Sequence, residues 1–99
     1  MEILFTEEFE HWFTTLKDER AKARIQARID RAELGNLGDV APVGGGVSEM
    51  RIHYGSGYRV YFLRRGAELI VLLAGGDKSS QPKDIRRALV MARHLASKH

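Results

Sequence analysis

The sequence predicts an α+β domain, a twisted and mostly antiparallel sheet packed against helices in the order β-α-α-β-β-β-β-α. Two observations carry this. Between Val47 and Lys78 the chain reads VSEMRIHYGSGYRVYFLRRGAELIVLLAGGDK, three strand-like segments separated by two glycine turns. On both sides of that stretch, apolar residues recur at helical spacing instead.

The elements follow in order. Ile3, Leu4 and Phe5 form a short apolar run that reads as an N-terminal strand. Thr6 is placed to cap a helix, with Glu7 and Glu8 in its first turn, where the helix dipole favours them. Phe9, Trp12, Phe13 and Leu16 then fall at i, i+3, i+4 and i+7, one apolar stripe. That stripe assigns Trp12 to the core rather than to base stacking. Asp18 or Glu19 restarts the helix, and Ala21, Ile25, Ile29 and Ala32 continue an apolar face. The opposite face carries Lys22, Arg24, Arg28 and Arg31; an Asp18–Lys22 pair makes part of this charge an ordinary solvated surface. Gly35-Asn36 stops the helix. The two helices read as an antiparallel hairpin lying on the sheet.

Asp39 to Val43 reads as a short edge strand, because Pro42 is poorly tolerated in a central one. Gly44, Gly45 and Gly46 precede a strand rather than a helix, so they read as a flexible connection and not as a phosphate cradle. In the next strand Met50, Ile52 and Tyr54 alternate with Glu49, Arg51 and His53. After the Gly55-Ser56-Gly57 turn, Val60 and Phe62 alternate with Arg59 and Tyr61. Such alternation predicts a half-buried sheet with Arg51, His53, Arg59 and Tyr61 on its open face. Arg65-Gly66 marks another turn. The run Leu69 to Leu73 is apolar throughout, which predicts a central strand covered on both faces. Ser79 or Ser80 then caps a last helix with Pro82 in its first turn. Ile85, Ala88, Leu89, Ala92 and Leu95 form its apolar stripe, while Lys83, Arg86, Arg87 and Arg93 face outward.

Composition narrows the class. The 99 residues fit one domain, residues 1–99, and contain no cysteine, so disulfides and thiolate metal sites are excluded. His11, His94 and His99 lack the spacing of metal ligands. No apolar run approaches a membrane span, and Glu2, Glu7 and Glu8 are unlike a signal peptide; the expected location is the cytoplasm. Residues 1–46 carry six Lys/Arg against nine Asp/Glu, whereas residues 47–99 carry ten against four. A surplus of +6 on the sheet half predicts a polyanionic partner there. Gly75-Gly76-Asp77-Lys78-Ser79 echoes the end of a nucleotide-binding loop, but Asp77 interrupts its Gly-Lys pair, and that reading is rejected.

Gly35-Asn36, Gly38-Asp39, Gly46-Val47, Glu49, Arg51-Ile52, the run GYRVYF from Gly57 and the run GGDKSSQ from Gly75 together resemble the addiction-module killer proteins. These are HigB/RelE-type toxins of bacterial toxin–antitoxin pairs, and the resemblance covers nearly the whole chain. It implies a RelE-like fold and a ribosome-dependent endoribonuclease that cuts messenger RNA without a metal or other cofactor. The implied partners are the ribosome with its mRNA and a cognate helix-turn-helix antitoxin from the same operon, with operator DNA reached only through that antitoxin. Membrane partners are not implied.

Metal-free RNA cleavage uses the 2′-hydroxyl against its own 3′-phosphate and needs phosphorane stabilisation and proton transfer. Arg59 is a bidentate phosphate ligand by residue type, and Lys78 adds charge on the leaving side. His53 is the natural acid or base, with Arg51 two residues away to orient the phosphate. The resemblance places Arg59 and Lys78 at positions where such toxins keep basic residues for the scissile phosphate. Tyr61 is a base-stacking candidate, and Asp77 or Glu49 a group that orients a cation or accepts a proton. Arg65, Asp77, Lys83 and Arg86 complete the expected RNA-binding set with Tyr61. Some relatives carry a catalytic tyrosine where this chain has Lys83-Asp84-Ile85, and a lysine where it has Ala41. Two rival functions share these features: a same-fold toxin that poisons DNA gyrase by binding, and a non-catalytic module that binds RNA or protein.

Overall fold

The computed structural model describes residues 1–96, and its first helix starts where the sequence supplies a cap. Helix α1 (Glu7–Thr15) follows strand β1 (Glu2–Phe5), and the Thr6 hydroxyl oxygen accepts from the Phe9 amide at 3.1 Å. Such a cap stabilises a helix by about 1 kcal/mol. The same hydroxyl donates to the Leu73 carbonyl at 2.8 Å, tying the cap to the sheet. Asp18 caps helix α2 (Glu19–Glu33) by accepting from the Arg20 and Ala21 amides. Strands β2 (Val40–Gly44), β3 (Val47–Ile52), β4 (Tyr58–Arg65) and β5 (Leu69–Asp77) follow, and helix α3 (Gln81–Ala96) closes the described chain.

The sheet order is β1-β5-β4-β3-β2, antiparallel except for β1, which runs parallel to β5. This is the expected α+β architecture and element order. Strand β2, with Pro42, is an edge as expected, and β5 is an interior strand covered on both faces, as its apolar run predicts.

The larger departure concerns the sheet faces. Helices α1 and α2 share one core with Met50, Ile52, Val60, Phe62, Ile70 and Leu72, sealed by Phe9 and Ile25. Helix α3 covers most of the opposite face, packing Ala88 and Ala92 against Val47, Tyr61, Leu73 and Ala74. The face expected to be open is therefore mostly a second core. Strand β5 serves both cores: Ala74 pairs with Tyr61 and Leu72 with Phe62, so Leu73 is an unpaired bulge residue. Ile70 and Leu72 enter the α1–α2 core while Val71 and Leu73 face α3, and coverage of both faces is why the run Leu69 to Leu73 is apolar throughout. The bulge then keeps Ala74 on the α3 side beside Leu73.

Glycines answer two separate demands. Gly44, Gly45 and Gly46 all have positive φ (104°, 59° and 80°), so the β2–β3 turn requires glycine rather than being a loose connection. Gly75 and Gly76 are extended and instead supply space. A Cβ on Gly75 would enter the Trp12 ring, whereas one on Gly76 would strike the Asp84 carboxylate and the Ser80 hydroxyl on the opposite face. The end of the motif also differs from expectation. Asp77 caps a 3-10 turn (Lys78–Ser80), accepting from the Ser79 amide and hydroxyl at 2.9 and 2.5 Å. Ser80 donates to Asp84 at 2.5 Å.

Candidate functional site

The antiparallel register of β3 and β4 sets Arg51 opposite Arg59, and Glu49 opposite Tyr61. Near the Ile52–Tyr58 end of this pair, beside the start of α3, the face stays partly open. Glu49 is 3% exposed and acts as the hub. Its Oε2 accepts from Arg51 Nε at 2.6 Å and lies 3.5 Å from Arg59 Nε, while its Oε1 accepts from Gln81 Nε2 at 2.9 Å. The Arg59 side chain is 12% exposed, and its Nε makes an ion pair with Glu49 without a directed hydrogen bond. Its Nη1 donates to the Tyr58 carbonyl at 3.2 Å. A buried carboxylate thus aims two guanidinium groups that would otherwise repel each other across the strands.

Lys78 reaches the same place from the other side. Its amide donates to the Gly57 carbonyl at 2.8 Å, and Gly57, whose φ of 85° favours glycine, lies beside both Arg59 and Lys78. Arg59, Lys78 and His53 line one open concavity of about 270 Å³ with Tyr54, Gly55, Ser56 and Gly57.

His53 lies past the end of β3, in the loop, rather than on the strand face where alternation put it. Its side chain is 70% exposed, and its Nε2 hydrogen-bonds Asp39 Oδ2 at 2.6 Å. Asp39 also stands 3.8 Å from Arg51. The His53 hydrogen bond, helped by the charge of Arg51, holds the Asp39 carboxyl below the usual carboxylate range. One unbroken chain of polar contacts therefore joins His53, Asp39, Arg51, Glu49 and Arg59.

Two members of this arrangement escaped the sequence reading. Asp39 looked like the start of an edge strand. Arg28 looked like part of a solvated helix face, yet its guanidinium donates to the Arg51, Leu37 and Asp39 carbonyls and fixes the loop that carries Asp39. Burial, with the neighbouring charge of Arg31, lowers the Arg28 pKa below its ordinary value. Gly38, at φ 70° and directly against the Arg28 guanidinium, was the available signal.

The remaining candidates separate. Tyr61 is 0% exposed under α3 and cannot stack a base. Its hydroxyl has no hydrogen-bond partner among the described residues, and burial together with the Glu49 and Asp84 carboxylates pushes its pKa up to about 12. Arg65 sits at the far end of β4, about 20 Å along the strand from Arg59, where it donates to the Leu95 carbonyl at 3.3 Å. Asp77 is engaged in its cap, and its hydrogen bonds from Ser79 hold its pKa low. Lys83 is exposed in the first turn of α3. Arg86 lines a separate hollow with Glu8, Arg87, Val90 and Met91. His99 lies outside the described residues. Among those residues, no helix is long and apolar enough to cross a membrane.

The chain shows similarity to known proteins over nearly its whole length. A Haemophilus influenzae protein described as uncharacterized is 47% identical over 95 residues, covering 96% of each chain. Residues 11–96 match the family described as phage-derived protein Gp49-like. That match takes in α2, the whole β2–β5 sheet with its cluster around Glu49, and α3, so the chain belongs to the phage-derived Gp49-like family.

Proposed function

We propose that this protein is the toxin of a toxin–antitoxin pair, a HigB/RelE-type endoribonuclease that cuts messenger RNA on the ribosome. The observation that supports it most is the convergence of Arg59, Lys78 and His53 on one concavity, with Arg59 aimed by buried Glu49. A phosphodiester seated there meets two cations, matching the charge that develops on a phosphorane. The 2′-oxygen attacks phosphorus, the bond to the 5′-oxygen breaks, and a 2′,3′-cyclic phosphate and a 5′-hydroxyl result. Asp39 holds His53 through Nε2, which leaves Nδ1 to exchange a proton with the substrate. Lys78 offsets charge on the departing oxygen. An antitoxin that covers this concavity is the natural means of silencing it.

The test is induced expression in a bacterium, with primer extension on total RNA. Growth arrest with new cuts confined to translated messages is expected, and Arg59→Ala and Lys78→Ala should each abolish it. Each loses stabilisation of about 2–4 kcal/mol, the scale of an oxyanion donor. Arrest with intact messages and broken DNA would replace this reading with gyrase poisoning. Arrest by a stably folded Arg59→Ala variant would remove the catalytic assignment.

A further inference from the structure

Three open hollows run end to end across one side of the molecule. The first is the concavity of Arg59, Lys78 and His53. His53 also lines a second, of about 310 Å³, with Arg24, Arg28 and Arg31 of α2. Arg24 and Ala27 continue into a third, of about 430 Å³, bounded by Arg20 and Ala23. The sequence of α2 explains the series. Arg20, Ala23, Arg24, Ala27 and Arg31 follow the i, i+3, i+4, i+7, i+11 spacing of one helical stripe. Arginines supply the charge, and the alanines between them leave the gaps.

Arg20, Arg24 and Arg31 are exposed, and among the described residues none has a carboxylate within ion-pair distance. Gln26 bonds Asp30 at 2.9 Å on another face of the helix. At the junction with the first hollow, the Arg24 guanidinium lies 4.9 Å from the centre of the Tyr54 ring. Asp39 is the carboxylate at that junction, and His53 and Arg51 already engage it. Arg31 Nε donates to the Ala27 carbonyl of its own helix at 3.4 Å. With a rise of 1.5 Å per residue, the three arginines span about 16 Å of helix. Arg31 also acts unfavourably on the charge of its neighbour Arg28, a repulsion that a bound anion would relieve.

We propose that this stripe binds the sugar–phosphate backbone of the substrate RNA strand flanking the phosphate held by Arg59 and Lys78. The proposal rests on the nuclease reading above. RNA is favoured over an acidic protein because the stripe is continuous, through His53, with the hollow that would hold the reacting phosphate.

The experiment measures fluorescence anisotropy of labelled 2′-O-methyl RNA, which cannot undergo 2′-hydroxyl attack, as a single strand of about twelve nucleotides and as a dinucleotide. The wild type should bind the long strand more tightly and with a steeper salt dependence. The Arg20→Ala/Arg24→Ala/Arg31→Ala variant should bind the long strand at least about tenfold more weakly. Its salt slope should fall by about 2, at about 0.7 per lost phosphate contact on a single strand. Dinucleotide binding and the thermal melt should be unchanged, and the triple Arg→Lys variant should keep the slope. Unchanged long-strand affinity in the alanine variant would overturn the proposal. So would unchanged oligonucleotide binding with lost ribosome binding, which would assign the stripe to ribosomal RNA. Polyglutamate that binds as tightly as the long strand, and is lost with it, would assign the stripe to an acidic protein. Absence of cleavage by the wild-type protein, with the RNA-binding pattern intact, would instead sink only the nuclease reading.

Discussion

Glu49→Gln is the most informative single change, because it removes one charge from a hub and almost no volume. In the native chain the carboxylate faces Arg51 at 2.6 Å and Arg59 at 3.5 Å. Arg51 is 39% exposed and retains Asp39, so water and a second partner soften its loss. Arg59 is 12% exposed and has no other carboxylate within ion-pair distance among the described residues. Removing one partner of a buried ion pair costs about 3–5 kcal/mol. Glutamine keeps an acceptor and Arg59 retains a path to water, so about 2 kcal/mol is expected for Glu49→Gln and about 3–4 kcal/mol for Glu49→Ala. In a chain of this size, 2 kcal/mol corresponds to a fall in Tm of about 8–16 °C. The assay is a thermal melt of each single variant and of Glu49→Gln combined with Arg59→Met. The double variant should recover part of the loss, because no unpaired buried charge remains. A Glu49→Gln variant melting within about 2 °C of wild type, or strict additivity in the double variant, would refute the hub.

Three further outcomes are expected. Gly75→Ala and Gly76→Ala should each lower Tm by about 8 °C or more, with a changed tryptophan emission only for Gly75→Ala, since only Gly75 abuts Trp12; unchanged melts would refute the space argument. At alkaline pH, Tyr61 should ionise only at about 12. Its stabilising effect is full below about pH 10 and is lost as pH rises through 12, so Tyr61→Phe should flatten the alkaline fall in Tm, followed beside phenolate absorbance. At acidic pH the sign reverses. The lowered Asp39 pKa gives stability that is present above about pH 4 and lost as pH falls through the folded value. Asp39→Asn should therefore show a shallower acid decline in Tm than wild type.

Much of the fold was legible because local patterns and global packing agree. Thr6 and Asp18 cap the helices they precede, and Pro42 marks an edge. Alternation put Arg51 and Arg59 on one face, and the strand register sets them opposite each other. What alternation cannot report is what covers a face. Tyr61 obeys the period-two pattern on the Arg59 side, yet α3 buries it there, a long-range contact with no local signature. His53 fails for a simpler reason: β3 ends at Ile52, and the loop redirects the next side chain. Arg65 and Arg59 share a parity but lie at opposite ends of one strand, and parity carries no distance. Asp39 and Arg28 were hidden because a loop carbonyl ligated by an arginine leaves little trace in sequence except the glycine beside it.

The Gly75-Gly76 pair has a consequence for how the molecule folds. Elsewhere in the sheet, side chains on both faces hold the two cores apart. At this dipeptide the layer thins to bare backbone, with the Trp12 indole on one side and the Asp84 carboxylate on the other. Neither α1 nor α3 can slide along β5 without driving a ring or a carboxylate onto the same short piece of main chain. The registers of both helices are therefore read from one ruler. A slip on either face is felt on the other, which favours a single cooperative transition over independent melting of two halves.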